Sequence, residues 1–152
     1  MKIKHVAIPT KVARPGMRIG EAMRECVAKQ IPGIPFVDEQ GNISGRFSVR
    51  HLFRVCCIPD DILHGAHLLG DGIEHLDFPH IKAEELMAVP VDDYIYPDAI
   101  RLSPNFQAIK ALAIMEQFDT EYLFVTEDDD YQGVVTRLSI AEAIVTKECC
   151  ID

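Results

Sequence analysis

At 152 residues the chain is long enough for one domain, or for two small halves sharing a core, and it buries roughly 68–70% of its unfolded surface without needing disulfides. Its 48% hydrophobic and 26% charged residues are ordinary for a globular protein, and no apolar run approaches the ~20 residues of a membrane span. A net charge of −9 argues against nucleic-acid binding, which draws on Lys and Arg to neutralise phosphates.

The amino terminus, Met1-Lys2-Ile3-Lys4-His5, is followed by no signal-like apolar core. Ala7 to Val12 is a lead-in in which Ile8-Pro9 ends any helix. Val12-Ala13-Arg14 is a candidate strand and Pro15-Gly16 a turn. Ile19, Ala22, Met23, Cys26 and Val27 then recur at helical spacing and predict one apolar helix face, which Ile31-Pro32-Gly33 breaks. Ile34-Pro35-Phe36-Val37 reads as a strand, and Asp38 to Asn42 as a turn in which Gly41 takes positive φ cheaply. A second strand leads to Ser48, and His51, Leu52 and Val55 mark a helix.

Residues 55–92 are too long for a structureless loop, so a partly helical connector is expected. Asp60-Asp61 before Ile62 and Leu63 suggests a short acidic-capped helix, Gly70-Asp71-Gly72 a turn, Glu84 to Met87 a helical turn, and Pro90 to Ile95 another. Ile100-Arg101-Leu102 and Ser103-Pro104-Asn105 precede a helix with Ala108, Ala111, Leu112 and Met115 inward. Tyr122 to Val125 is a strand, 127–130 an exposed acidic turn, and Gly133 to Thr136 the last strand. Ser139-Ile140-Ala141-Glu142 has the capping-box pattern with Ser139 at the N-cap, and Ile140, Ala143 and Ile144 are expected inward.

The second series repeats the first. An offset of 88 takes Phe36 to Phe124, Val37 to Val125, Gly45 to Gly133, Ser48 to Thr136 and His51 to Ser139. Upstream the offset is 89, taking Pro15 to Pro104, Ala22 to Ala111 and Met23 to Leu112. One residue of slippage is what a loop indel between two copies produces, and an internal repeat governs any choice of fold.

Charge divides along the same line. Residues 1–54 carry ten Lys/Arg against four Asp/Glu, a net +6, and residues 55–152 carry five against twenty, a net −15. The basic half can hold a small anion, or it can face the acidic half of this chain or of a second subunit. The five cysteines, Cys26 and the pairs Cys56-Cys57 and Cys149-Cys150, have neither disulfide-framework nor metal-site spacing, so reduced thiols in a cytoplasmic protein are expected. The terminal Asp152 is wrong for a prenylation box. His64, His67, Asp71, Glu74, His75 and His80 invite a metal reading, but no cysteine pair or His-Glu-x-x-His motif completes it, and surface histidines are the plainer account. No nucleophile–base arrangement, phosphate loop or dinucleotide fingerprint occurs, so no catalytic residue is expected.

The two units resemble the CBS (cystathionine-beta-synthase-type) domain in tandem, the Bateman module. The likeness rests on Pro15–Met23 with Pro104–Leu112, on Ile34–Val37 with Tyr122–Val125, and on Gly45-Arg46-Phe47-Ser48-Val49-Arg50-His51-Leu52 with Gly133-Val134-Val135-Thr136-Arg137-Leu138-Ser139-Ile140. The family pattern there is Gly, two apolar residues, Ser or Thr, two variable residues, Asp, then an apolar residue. The resemblance implies an α+β fold of two strand-helix-strand-strand-helix repeats about a pseudo-twofold, at 5–54 and 93–146.

It also implies two clefts binding adenosyl ligands such as AMP, ADP, ATP or S-adenosylmethionine, with no cofactor required. The module would be a regulatory homodimer acting on a partner enzyme or transporter, without nucleic acid or membrane. The candidate adenosyl and phosphate contacts are Val12, Arg14, Ile34, Pro35, Phe36, Ser48, Arg50 and His51 in the first half. Those in the second half are Ile100, Arg101, Tyr122, Phe124, Thr136, Arg137 and Ser139. His51 and Ser139 stand where the family has the Asp that bonds the ribose hydroxyls, and neither accepts from two hydroxyls as a carboxylate does. Two readings follow: a ligand sensor, with Arg46, Arg50, His51 and Arg54 as an anion site, or a ligand-free dimerisation scaffold.

Overall fold

The computed structural model describes residues 1–68 and 80–146. The first unit comprises α1 (Ile19–Lys29), β1 (Gly33–Val37), β2 (Ile43–Ser48) and α2 (Val49–Cys56). The connector holds α3 (Asp60–Gly65), a 3₁₀ turn at Ala66–Leu68 and α4 (His80–Met87). The second unit comprises β3 (Arg101–Leu102), α5 (Ala108–Gln117), β4 (Tyr122–Glu127), β5 (Asp130–Thr136) and α6 (Arg137–Val145). The expected turn at Gly70-Asp71-Gly72 lies outside the described residues.

Each unit is a hairpin with a third segment laid parallel beside its first strand. In the first unit Ala13 bridges Phe36, and β1 runs antiparallel to β2 with Phe36 opposite Gly45. In the second, Leu102 pairs with Val125, and Val125 lies opposite Gly133. Both hairpins shift register at the next residue, between Phe36 and Val37 and between Val125 and Thr126. Phe36 therefore corresponds to Val125, not to Phe124, and Val37 to Thr126, not to Val125. The offset of 89 runs through the first strand of each hairpin and becomes 88 only in the turn, where five residues separate Val37 from Ile43 and four separate Thr126 from Tyr131. The shorter turn is closed by Asp128 and Asp129, both at positive φ (49° and 64°), the geometry that matches strand twist in a tight hairpin. Val12-Ala13-Arg14 contributes a bridge at Ala13 rather than a full strand.

The two units exchange their leading segments. A 3₁₀ turn at Ile3–His5 packs on the second unit, where Ile3 N donates to Phe106 O at 2.9 Å. Its counterpart at Val91–Tyr94 packs on the first, where Val91 N donates to Met17 O at 2.8 Å. Ile8 then exchanges backbone hydrogen bonds with Val134 at the edge of β5 (2.8 and 2.9 Å), and Tyr96 does the same with Arg46 at the edge of β2 (2.9 Å each). This reciprocity is the pseudo-twofold. The contacts of these leading segments reach back to Met1 and Val89, where Ala108 N bonds Met1 O at 2.8 Å and Ile19 N bonds Val89 O at 2.9 Å.

The exchange shapes the core. One cluster joins Ala13, Ile19, Ala22, Cys26, Ile34, Phe47 and Leu52 to Val91, Tyr122, Phe124 and Val134 of the other unit. The second joins Ile3 and Val6 to Leu102, Ala108, Ala111, Met115, Val135 and Ile140. Two side chains expected inward face out: Val27 is 66% exposed and Ile144 55%. The short helices bury a narrow stripe, Ile19, Ala22 and Cys26 on α1 and Ile140 and Ala143 on α6, and both residues fall at its edge. Helix α6 also begins earlier than expected. Its N-cap is Thr136, and Ser139 is the third helical residue of the capping box rather than the cap.

Candidate functional site

Strand β2 ends at Ser48, whose Oγ accepts from His51 N at 3.3 Å and so caps α2. The helix carries Arg50, His51 and Arg54 into a cleft of about 350 Å³. Its other wall comes from the second unit: Tyr96, Asp98 and Ile100 of the crossing segment, and Phe118, Asp119 and Thr120 after α5. Asp119 sits at φ 49°, matching Gln30 at φ 55° at the end of α1. Three arginines, Arg46, Arg50 and Arg54, thus face two carboxylates across the opening. Arg54 also bonds Asp60 at 2.7 Å, an exposed pair that adds little stability.

Arg46 sits deeper. Its guanidinium carbon lies 4.7 Å from the Tyr96 ring centroid and 5.2 Å from that of Tyr122, within cation–π reach of both. His51 meets the Tyr96 ring edge-on at 5.2 Å, so Tyr96 is held from two sides. Burial pushes the Tyr122 phenol up to about 12, with the Arg46 charge and a side-chain hydrogen bond to Ser48 opposing that shift. Arg46 Nε is buried without a hydrogen-bond partner. An unpaired buried polar group costs roughly 1–3 kcal/mol.

The equivalent positions of the second unit have a different chemistry. By the strand register and the offset of 88 that follows it, Val134, Leu138 and Glu142 replace Arg46, Arg50 and Arg54. Ser139 replaces His51, and its hydroxyl is engaged: Oγ accepts from Thr136 N at 3.0 Å and donates to Thr136 O at 2.9 Å. Thr136 Oγ1 accepts from Ser139 N at 3.0 Å. Thr10 and Tyr131 share a hydroxyl–hydroxyl bond of 2.6 Å, and burial pushes the Tyr131 phenol up.

Of the sequence candidates, Ser48, Arg50, His51 and Ile100 line the first cleft. Ile34, Pro35, Tyr122 and Phe124 are buried, and Phe36 packs against the core. Val12 is half-buried, and Arg14 is exposed at the turn before α1. Arg101 is exposed on β3. Arg137 bonds Glu116 at 2.8 Å and reaches Thr120 O at 3.4 Å, so its guanidinium is already held by its own unit. Tyr96, Asp98, Phe118, Asp119 and Thr120 escaped the sequence reading. The signal for Tyr96 was its match to Ile8 at the offset of 88, which becomes meaningful only once the leading segments are seen to cross.

His64 and His67 are exposed, and Asp71, Glu74, His75, Cys149 and Cys150 lie outside the described residues. Among the described residues no three His, Cys, Asp or Glu side chains group as metal ligands. Among them, too, no helix is long and apolar enough to cross a membrane.

Residues 91–146 match the family model for the CBS domain. No curated protein matches the chain in sequence. Its fold is similar to that of a CBS domain-containing protein from Kribbella flavida, with TM-score 0.66 and 18% identity over 95% of this chain and 99% of that one. It is also similar to a CBS-domain containing protein from Agrobacterium tumefaciens, with TM-score 0.64 and 18% identity over 95% and 99%. A Methanocaldococcus jannaschii protein proposed as an archaeal homologue of g-AMPK aligns with TM-score 0.66 and 18% identity over 95% of this chain and 48% of that one. Residues 91–146 thus match the CBS domain, and the chain as a whole has the fold of CBS-domain proteins, two like units laid head to tail about a pseudo-twofold.

Proposed function

We propose that this chain is a non-catalytic regulatory module that senses an adenine nucleotide or related adenosyl ligand in its first cleft. The observation carrying the reading is the convergence of unlike chemistry there. Arg46, Arg50 and Arg54 supply cations for phosphate, Ile100, Phe118 and Tyr96 supply apolar and aromatic surface for a base, and Asp98 and Asp119 supply carboxylates for ribose hydroxyls. Asp119 would take over what position 51 gives up by being histidine. The second cleft has neither the cations nor a hydroxyl to spare at Ser139, so one ligand per chain is expected.

The likeness to a proposed g-AMPK homologue supports regulation as the role. The ligand acts by binding one arrangement of the two units better than another, since equal affinity shifts nothing. A homodimer fits the exposed Ile109, Leu138 and Val145 on α5 and α6, and a partner enzyme or transporter would read the change. The same exposed face favours the second reading, a ligand-free scaffold.

Thermal melting with AMP, ADP, ATP and S-adenosylmethionine decides between them. A bound ligand at a hundred times its dissociation constant stabilises the folded state by about 2.7 kcal/mol. Arg50→Glu is expected to weaken binding tenfold or more, about 1.4 kcal/mol. Ser139→Ala is expected to leave it unchanged. A chain that sediments as a dimer and melts unchanged with all four compounds would hand the case to the scaffold.

A further inference from the structure

We propose that the connector helix roofs a separate ligand site, an apolar cavity between α1, α2 and α4 that takes a compact aromatic molecule carrying no negative charge. The cavity measures about 490 Å³, a volume ordinary for small-molecule sites. Its wall is built from Met23 of α1, Phe53 and Cys56 of α2, Leu86 and Met87 of α4, and Tyr94 of the crossing segment. It is distinct from the first cleft. Helix α2 presents Arg50, His51 and Arg54 to that cleft, and Phe53 and Cys56 to the cavity.

The roof is fixed at its carboxyl end. Ile19 N donates to Val89 O at 2.9 Å, Arg18 donates to Ala88 O at 2.8 Å, and Val91 N donates to Met17 O at 2.8 Å. A Cβ on Gly20 would meet Met87 O at 3.2 Å, so α4 lies close against α1 there. The polar groups of the wall are turned to each other. The side chains of Tyr94 and Cys56 are hydrogen-bonded, and burial pushes the Cys56 thiol up, so it is protonated at neutral pH. Such a wall offers water few partners, and apolar cavities stay dry. In the second unit the positions matching Cys56 and Cys57 are Ile144 and Val145, 55% and 79% exposed. The cavity is therefore made by the connector and not by the repeat.

The lining selects the occupant. Met23 and Met87 bring thioethers, and Cys56 and Cys57 thiols. These sulfurs are soft and polarizable, and thioether sulfur makes favourable contacts with aromatic rings. Among the described residues the only charged side chain on the wall is Glu85. An anion entering here would meet a like charge and lose its water without gaining a partner.

The test is fluorescence titration with N-phenylnaphthylamine, a neutral probe that brightens in apolar surroundings, and with its anionic relative anilinonaphthalenesulfonate. The wild-type chain is compared with Ala83→Trp. Ala83 lines the cavity yet is exposed on α4, so an indole there fills space without displacing the core. The neutral probe should saturate at one per chain. Ala83→Trp, with a native circular dichroism spectrum, should weaken it about tenfold or more, and the sulfonate should bind the wild type about tenfold more weakly than the neutral probe. No saturable binding to the wild type overturns the site, as does unchanged affinity in folded Ala83→Trp. Equal affinity for the two probes overturns the assigned class of ligand. Should Ala83→Trp fail to fold, the rate of Cys57 alkylation by iodoacetamide, located by peptide mapping, decides. Slowing by the neutral probe sustains the site, and an unchanged rate overturns it.

Discussion

Cys26 and Tyr122 hold their protons more tightly in the folded chain than out of it. Burial, with Glu25 adding to it, pushes the thiol from 9.0 to about 12, and burial pushes the phenol from 10.0 to about 12. Below pH 9 both groups are protonated in either state, and their contribution to stability is fully present. As pH rises from 9 toward 12 the unfolded chain ionises first, and stability drains away by up to about 1.4 kcal/mol per pH unit for each group titrating in the unfolded state alone. The melting temperature should therefore decline above pH 9, and Cys26→Ala should flatten the part between 9 and 10, before the phenol joins. A decline equally steep in that variant would show that the thiol is not responsible. At this scale the sequence was readable where a residue's role is local. Ser48 and His51 lie in the cleft that the motif implied. Asp119 could not be placed there, because only the packing of α5 against β4 brings its turn across to the other unit.

The helices and hairpins were legible because their signals lie within a few residues: 3.6-residue spacing on α1 and α5, and Gly41 at φ 83° in the first turn. What the pattern could not give was which stripe of a short helix wins burial, hence Val27 and Ile144, or which of two hydroxyls caps α6, since Thr136 and Ser139 satisfy each other. Nor could it place the one-residue slip, because a strand aligned one residue off still alternates apolar side chains plausibly. Gly45 and Gly133 were visible as a matched pair, but their reason is the crossing segments. A Cβ on Gly45 would stand 2.6 Å from Tyr96 O, and one on Gly133 2.7 Å from Ile8 O. Each is backbone held by two hydrogen bonds and has little freedom to give. Gly45→Ala and Gly133→Ala should each destabilise by roughly 1–3 kcal/mol, the usual cost of overpacking, in urea denaturation. A pair of near-neutral variants would mean that the crossing strands sit looser than these distances allow.

The whole molecule is less divisible than its repeat suggests. Val91 is fully buried in the first unit's cluster and Ile3 in the second's, so each half supplies part of the other's interior. A polypeptide of residues 1–78 or 79–152 alone should stay largely unfolded by circular dichroism, and mixing the two should restore the native spectrum. Independent folding of either piece would contradict the exchange. The charge asymmetry reads differently at this scale as well. Within the chain Arg54–Asp60 crosses that division, and Arg137–Glu116 lies inside the acidic part. Three of the ten basic residues of the first half, Arg46, Arg50 and Arg54, line the first cleft together with Asp98 and Asp119 of the acidic half.

The crossing has a mechanical side. A tether fixed ahead of Met1 would tug on β5 of the opposite unit through Ile8, while leaving the adjoining α1 slack. Tyr96 is the corresponding handle on β2, and it is also a wall of the first cleft. Whatever grips that ring grips the cord that joins the connector to the far sheet.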